Sequence, residues 1–175
     1  GNPLALKLVA QTIQELFDGK IDRLVKEGIF VFADIKDLLQ QQLERLAPLE
    51  EQLIHWLAIE HTPVGLDDLL DDLVIPSSRK EVVNTLNSLR RRSLLVKSQD
   101  QSLFTLQPVV MEYLVDEIVQ QTAEEILNGK FDYLSRYALL KASTKDYVRE
   151  AQLSLILRPV INQLLASLKN ERAIG

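Results

Sequence analysis

Few side chains in this sequence could do chemistry, and their types narrow what it would be. Only two imidazoles are present, His55 and His61, six residues apart and without a convincing third ligand. Packing beside Trp56 and capping of a helix end are expected of them, rather than metal binding. The chain has no cysteine, which removes disulfides and thiolate metal sites. Asp67, Asp68, Asp71 and Asp72 bring carboxylates to one helix at the i, i+4 spacing that a divalent cation could share. No glycine-bearing calcium loop surrounds them, so a solvated acidic face is expected, all four pointing outward. Arg90-Arg91-Arg92 could grip phosphates, or form the basic last turn of a helix that the macrodipole and partner carboxylates favour; the second is the expectation. Gly19-Lys20-Ile21 and Gly129-Lys130-Phe131 each lack the upstream glycine and following hydroxyl of a phosphate-cradling loop. No apolar strand ends in aspartate, and no nucleophile stands with a base. The chain by itself is therefore expected not to be an enzyme, with no catalytic residue and no metal.

The element that must position these residues runs from Arg79 to Tyr113. Val82, Val83, Leu86 and Leu89 fall along one side of a helix. Ser78 precedes it as N-cap, with Glu81 three residues on to complete a capping box. Leu94-Leu95-Val96 and Leu103-Phe104-Thr105-Leu106 read as two short strands around a polar loop from Lys97 to Ser102. Pro108 suits the first turn of the next helix, where its missing N–H is no loss. Upstream, Leu49–Glu60 is apolar nearly all round its second half, as in a helix buried on more than one side. Thr62-Pro63-Val64-Gly65 breaks it before a helix over Leu66–Leu73. Three helices and a two-stranded hairpin in this order form the pattern of a winged helix.

At 175 residues, 46% of them apolar and with only 6 Gly and 6 Pro, the chain reads as a soluble, mainly α protein. No run of residues reaches the length of a membrane span and no signal peptide opens the chain, so no membrane partner is expected. The absence of cysteine suits a cytoplasmic home. The first residues, Gly1-Asn2-Pro3-Leu4, run straight into a helix and read as an excised piece of a longer protein. That helix stops at Gly19 and a second covers Ile21–Glu27. Asp34 is expected to cap an amphipathic helix through Ile35, Leu38, Leu39, Leu43 and Leu46. After Pro108 a helix runs to about Leu127 and ends at Asn128-Gly129. The tail predicts three helical pieces, Phe131–Lys141, Lys145–Leu157 and Pro159–Lys169, with Leu153, Ile156, Leu157, Val160, Ile161, Leu164, Leu165 and Leu168 as an apolar face. Three units follow: a helical subdomain over 1–47, a winged-helix domain over 48–120 and a C-terminal helical extension over 121–175.

Four motifs in order carry a resemblance over nearly the whole chain. Gly1-Asn2-Pro3-Leu4-Ala5-Leu6 resembles the G-x-P-L-A-L motif that follows the nucleotide-binding core of NB-ARC signalling ATPases. Leu89-Arg90-Arg91-Arg92-Ser93-Leu94-Leu95 is similar to the L-x-x-R-x-L-L of their winged helix. Phe104–Tyr113 resembles the same domain in bacterial members that continue into WD repeats, and Tyr137–Ala142 with Asp146–Gln152 resembles the helical connector before those repeats.

The resemblance implies a nucleotide switch, with ADP or ATP and magnesium held by the parent protein and no cofactor by this chain alone. It places Pro3 near the adenine. It aligns Leu106-Gln107-Pro108 with the family's M-H-D triplet, whose histidine reaches the β-phosphate of ADP. Glutamine can donate one amide hydrogen bond there but cannot become cationic; equally, Gln107 could merely end a strand. The implied partners are the nucleotide-binding and WD-repeat domains of the same chain, with homo-oligomerisation on activation. Two rivals remain: a winged-helix DNA-binding regulator and a purely structural connector. Against the first, residues Leu49–Gln120 hold twelve acidic and six basic side chains, a field that repels a duplex, so no nucleic-acid partner is expected.

Overall fold

The computed structural model describes residues 30–74, 76–97, 102–141 and 145–174. Pro3, the Gly19 stop, the helix expected over Ile21–Glu27 and the tip of the hairpin loop lie outside the described residues. What is described is mainly helical, with one two-stranded antiparallel sheet.

Helix α1 (Phe30–Leu43) begins four residues before Asp34, which therefore lies inside it and does not cap it. An aspartate inside a helix costs at most about 0.7 kcal/mol, too little to stop one on its own. Helix α2 (Pro48–Glu60) starts with proline at its first position, and the Glu50 carboxylate reaches back to accept the Ala47 N–H at 3.1 Å. Eight of its thirteen residues are buried, from Gln52 to Glu60 with His55 as the partial exception. It is the axis on which the other elements pack. His61 closes it in the left-handed region (φ 54°), its N–H donating to the Leu57 carbonyl.

Val64 then pairs with Phe104 through two backbone hydrogen bonds of 2.9 and 2.8 Å, so the hairpin is anchored beside the exit from α2. Helix α3 (Leu66–Asp72) buries Leu69. Helix α4 (Arg79–Arg91) has the expected capping box: Ser78 Oγ accepts the Glu81 N–H, and the Ser78 N–H donates to the Glu81 carboxylate at 2.8 Å. Val82, Leu86 and Leu89 are buried, but Val83 is 36% exposed. One residue on from Val82 it is turned about 100° round the axis, off the buried stripe. Strands β1 (Leu95–Lys97) and β2 (Phe104–Leu106) pair with Leu95 opposite Leu106.

Helix α5 (Pro108–Leu127) is ended by Gly129 at φ +64°, with the Lys130 N–H bonded to the Glu125 carbonyl and the Gly129 N–H to that of Ile126. These two bonds occupy carbonyls that the last turn leaves without helical partners. The division expected at residue 120 falls within this unbroken helix.

The tail departs from expectation. Helix α6 is only Asp132–Arg136, and α7 (Asp146–Gln152) runs without a break through a π-helical turn, Leu153–Leu157, into α8 (Arg158–Ile174). Pro159 therefore does not begin a new helix. Proline in a helix lacks the N–H and crowds the carbonyl four residues back; the wider π turn just before it already departs from the α ladder there. Of the expected apolar face, Ile156 and Val160 are buried in the core, whereas Leu153, Ile161, Leu165 and Leu168 are exposed. One cluster of buried apolar residues extends from Leu39 through α2, α4 and α5 to Val160. Among the described residues, no helix is long and apolar enough to cross a membrane.

Candidate functional site

Two places gather polar groups in this apolar body: the β2–α5 junction and the face of α2 under the tail. At the junction, Gln107 is the N-cap of α5 and only 7% exposed. Its N–H donates to the Leu94 carbonyl at 3.0 Å and its own carbonyl accepts the Met111 N–H at 2.9 Å. Its side chain does not cap the helix. Since Pro108 has no N–H, the first-turn amides of Val109 and Val110 are the donors that α5 leaves without helical partners. A groove of ≈ 440 Å³ opens on the outer side of α5 at this end, lined by His61, Pro108, Met111, Glu112, Asp116 and Pro159 among others; Gln107, Val109 and Val110 do not line it. Burial holds the His61 imidazole below its ordinary pKa, and its buried Nδ1 has no hydrogen-bond partner.

The N-terminus of this 20-residue helix is the end that favours an anion, although Val110 there is fully buried. The first-turn amides do not make a cradle, and Glu112 and Asp116 set two carboxylates against an anion in the groove. Pro3, the other residue assigned to nucleotide, lies outside the described residues.

The arginine run separates. Arg92, at the C-cap of α4, donates to the Gln42 carbonyl at 2.7 Å and pairs with Glu50 at 3.3 Å, tying together the ends of α1, α2 and α4. Arg90 and Arg91 are exposed in the last turn. The partner-and-dipole reading thus describes Arg92 well. The aspartates separate too. Asp67 pairs with Arg79, and Asp68 and Asp71 are exposed, but Asp72 does not point to solvent. Its carboxylate binds the Lys141 ammonium, which binds Glu60 as well. The outward assignment of Asp72 fails because helical spacing cannot see a cation 69 residues away. Among the described residues, no cluster of three or more ligating side chains could hold a metal ion.

Lys141 is the centre of the second gathering. Its ammonium also lies 4.9 Å from the centre of the Trp56 ring. Burial opposes its charge, but the hydrogen bonds it donates to Asp72 and Glu60, with their charges, outweigh burial and hold its pKa above the ordinary value. One ammonium serves two carboxylates, so for Asp72 burial prevails over Lys141 and its pKa is pushed up. Alongside, Gln152 is fully buried: its Oε1 accepts the Lys141 N–H at 3.2 Å and its Nε2 donates to the Ile59 carbonyl at 3.3 Å. His55 Nδ1 is hydrogen-bonded to the Tyr133 hydroxyl at 2.9 Å, and its ring stacks on Tyr137. Burial lowers the His55 pKa to about 4, so the imidazole is neutral near pH 7. The packing role expected of His55 is the one the structure gives it.

Lys141 was missed in sequence. The one signal for it was Glu60, an acidic residue closing an otherwise apolar helix, since a buried carboxylate requires a partner.

No known family model matches the chain, and no solved structure does. The chain is 41% identical, over 94% of its length, to an uncharacterized WD repeat-containing protein of Nostoc sp. (strain PCC 7120), and it spans 16% of that protein's length. It is thus similar to one segment of a much longer WD repeat-containing protein.

Proposed function

We propose that this chain is the regulatory helical and winged-helix portion of a nucleotide-switched signalling ATPase, which closes over ADP and links the ATPase core to a WD-repeat domain. The observation that carries the reading is the position of Gln107. It stands buried at the N-terminus of α5, where a strand passes into a long helix, and the resemblance assigns the phosphate-sensing contact to that place. The element order supports the winged-helix part: α2, the Val64 bridge, α3, α4, then the β1–β2 hairpin. The likeness to a WD repeat-containing protein is consistent with a WD-repeat domain in the same chain.

In this mechanism the Gln107 carboxamide donates to one phosphate oxygen at the N-terminal end of α5. Bound ADP supplies the anion that holds the closed state, and α2 relays the position of the junction to the tail packed on it. The test is the ADP off-rate of the full-length protein. Gln107→Ala removes one hydrogen bond to a charged acceptor, worth about 1.5–3 kcal/mol, so ADP should leave about ten- to a hundredfold faster. Pro3→Ala should speed ADP and ATP release alike. An unchanged ADP off-rate in Gln107→Ala would leave the glutamine as a strand end and reject the sensing role.

A further inference from the structure

The groove on the outer side of α5 is built by three elements: the end of α2 at His61, the first turns of α5, and the π turn that leads into α8. Met111, Val115, Leu155 and Pro159 bring hydrocarbon to it, and Leu155 is 38% exposed there. Leu155 belongs to the π turn itself, a form that recurs at functional sites. Two kinds of polar group share the groove. Glu112 and Asp116 stand one helical turn apart on α5 and add carboxylates. Asp116 has Lys36 at 3.8 Å, whereas Glu112 has no ion pair among the described residues. The other group is His61, whose Nδ1 is buried without a hydrogen-bond partner. Buried polar atoms are almost always paired, so an orphaned nitrogen at a groove points to something that binds there. Burial holds the imidazole below its ordinary pKa, and a neutral ring keeps one nitrogen as an acceptor.

We propose that this groove docks an arginine side chain from a basic segment of a partner protein, its stem lying on Met111, Val115, Leu155 and Pro159 and its guanidinium donating to the Glu112 carboxylate and to His61 Nδ1. Arginine matches the mixture of groups. Its stem covers apolar surface while its head stays charged, and its fork of N–H donors can serve two acceptors at once. Lysine offers a similar stem but a compact, strongly hydrated head. An acidic segment would be repelled by Glu112, and an apolar one would cover both acceptors without pairing them. The chain's net charge of −5 also favours the approach of a basic partner. Gln107 does not line this groove, so the inference goes beyond the nucleotide-switch reading and stands without it.

The probe is an acetylated, amidated hexapeptide of alternating arginine and leucine, titrated into the full chain and followed by calorimetry and NMR. The expected result is saturable binding that moves the methyl signals of Met111, Val115 and Leu155 and the imidazole signals of His61. Those of Leu95 and Val96 in the hairpin should stay in place. Citrulline in place of arginine keeps the shape and loses the charge, and should bind about tenfold more weakly or worse. Glu112 is exposed, so Glu112→Gln tests the carboxylate without touching the core and should weaken the arginine peptide by about the same factor. His61→Gly removes the acceptor and suits the left-handed helix end, and should weaken it as well. Equal affinity for the citrulline peptide would overturn the inference, as would full affinity in both variants. So would the absence of binding, or signal changes confined to the carboxylates of Glu44, Glu51 and Glu125 in the neighbouring cleft between α1, α2 and α5.

Discussion

The body built on α2 and α4 and the tail that crosses it are held by different physics. Leu53, Leu57, Ile59, Val82, Leu86 and Leu89 are buried to within 1% of complete, and they meet other hydrocarbon. Burying each such side chain contributes about 1.5–3 kcal/mol, with little demand on orientation. The tail also buries Tyr133, Tyr137, Leu139, Ile156 and Val160 in that core, but adds polar contacts, Lys141 with two carboxylates, Gln152 with two backbone groups and His55 with Tyr133, whose worth depends on charge state and geometry. The difference teaches that one chain can combine a purely apolar centre with a seam where hydrocarbon and charge share the work. The first responds to volume, the second to charge as well.

The largest single effect should come from the body. Leu57→Ala removes a fully buried side chain from the middle of α2 and should cost about 2–5 kcal/mol, lost in one transition that urea unfolding monitored by circular dichroism would register. A loss confined to the tail would erase the contrast.

Next comes pH, which acts through His55 where α2 meets the tail. In the unfolded chain His55 takes up its proton near its ordinary pKa of 6.5, but in the fold only at about 4. Between these values the unfolded state binds more protons, so stability rises with pH. The contribution is complete above about pH 6.5 and is lost as pH falls toward 4, in total about 3 kcal/mol at 1.36 kcal/mol per pKa unit. His55→Gln should flatten this part of the stability profile, as measured by urea midpoints from pH 7 to 4. An unchanged slope in that variant would place the acid sensitivity elsewhere.

The smallest effect sharpens the description of α4. Ser78→Ala removes the acceptor for the Glu81 N–H and should cost about 1 kcal/mol, seen as a lower melting temperature with the cooperativity of unfolding unchanged.

How much of this was legible in the sequence follows the same division. Ser78 and Glu81, Pro108 and Gly129 act within a turn of where they stand, so local rules placed the start of α4 and both ends of α5. The stripe of Val82, Leu86 and Leu89 follows from periodicity; Val83 was over-assigned because an apolar residue beside a stripe reads like a member of it. Of the candidate site, the place of Gln107 at the strand–helix junction was legible, but the arrival of His61 in the groove beside Pro108 was not, since it depends on how α2 ends against α5. Asp72 and Lys141 are 69 residues apart and carry no periodic mark of their pairing. The π turn was invisible because Leu153–Leu157 has the composition of any apolar helix, and Pro159 read as a start and not as a guest within a continuing helix.

That turn has a consequence for the phase of the tail. A π turn amounts to one residue added to an α-helix, and one residue is about 100° of rotation. Everything after Leu157 is therefore turned by more than a quarter circle relative to a helix continued straight from α7. Val148 and Gln152 face the body before it, and Ile156 and Val160 still face the body across it. Ile161, Leu165 and Leu168, meanwhile, come round together on an outer face. Deleting one residue such as Ser154 would let the stretch close as ordinary α-helix with Ile156 and Val160 still inward, whereas straightening it at full length would turn both away from the body: a screw thread cut one step out of register.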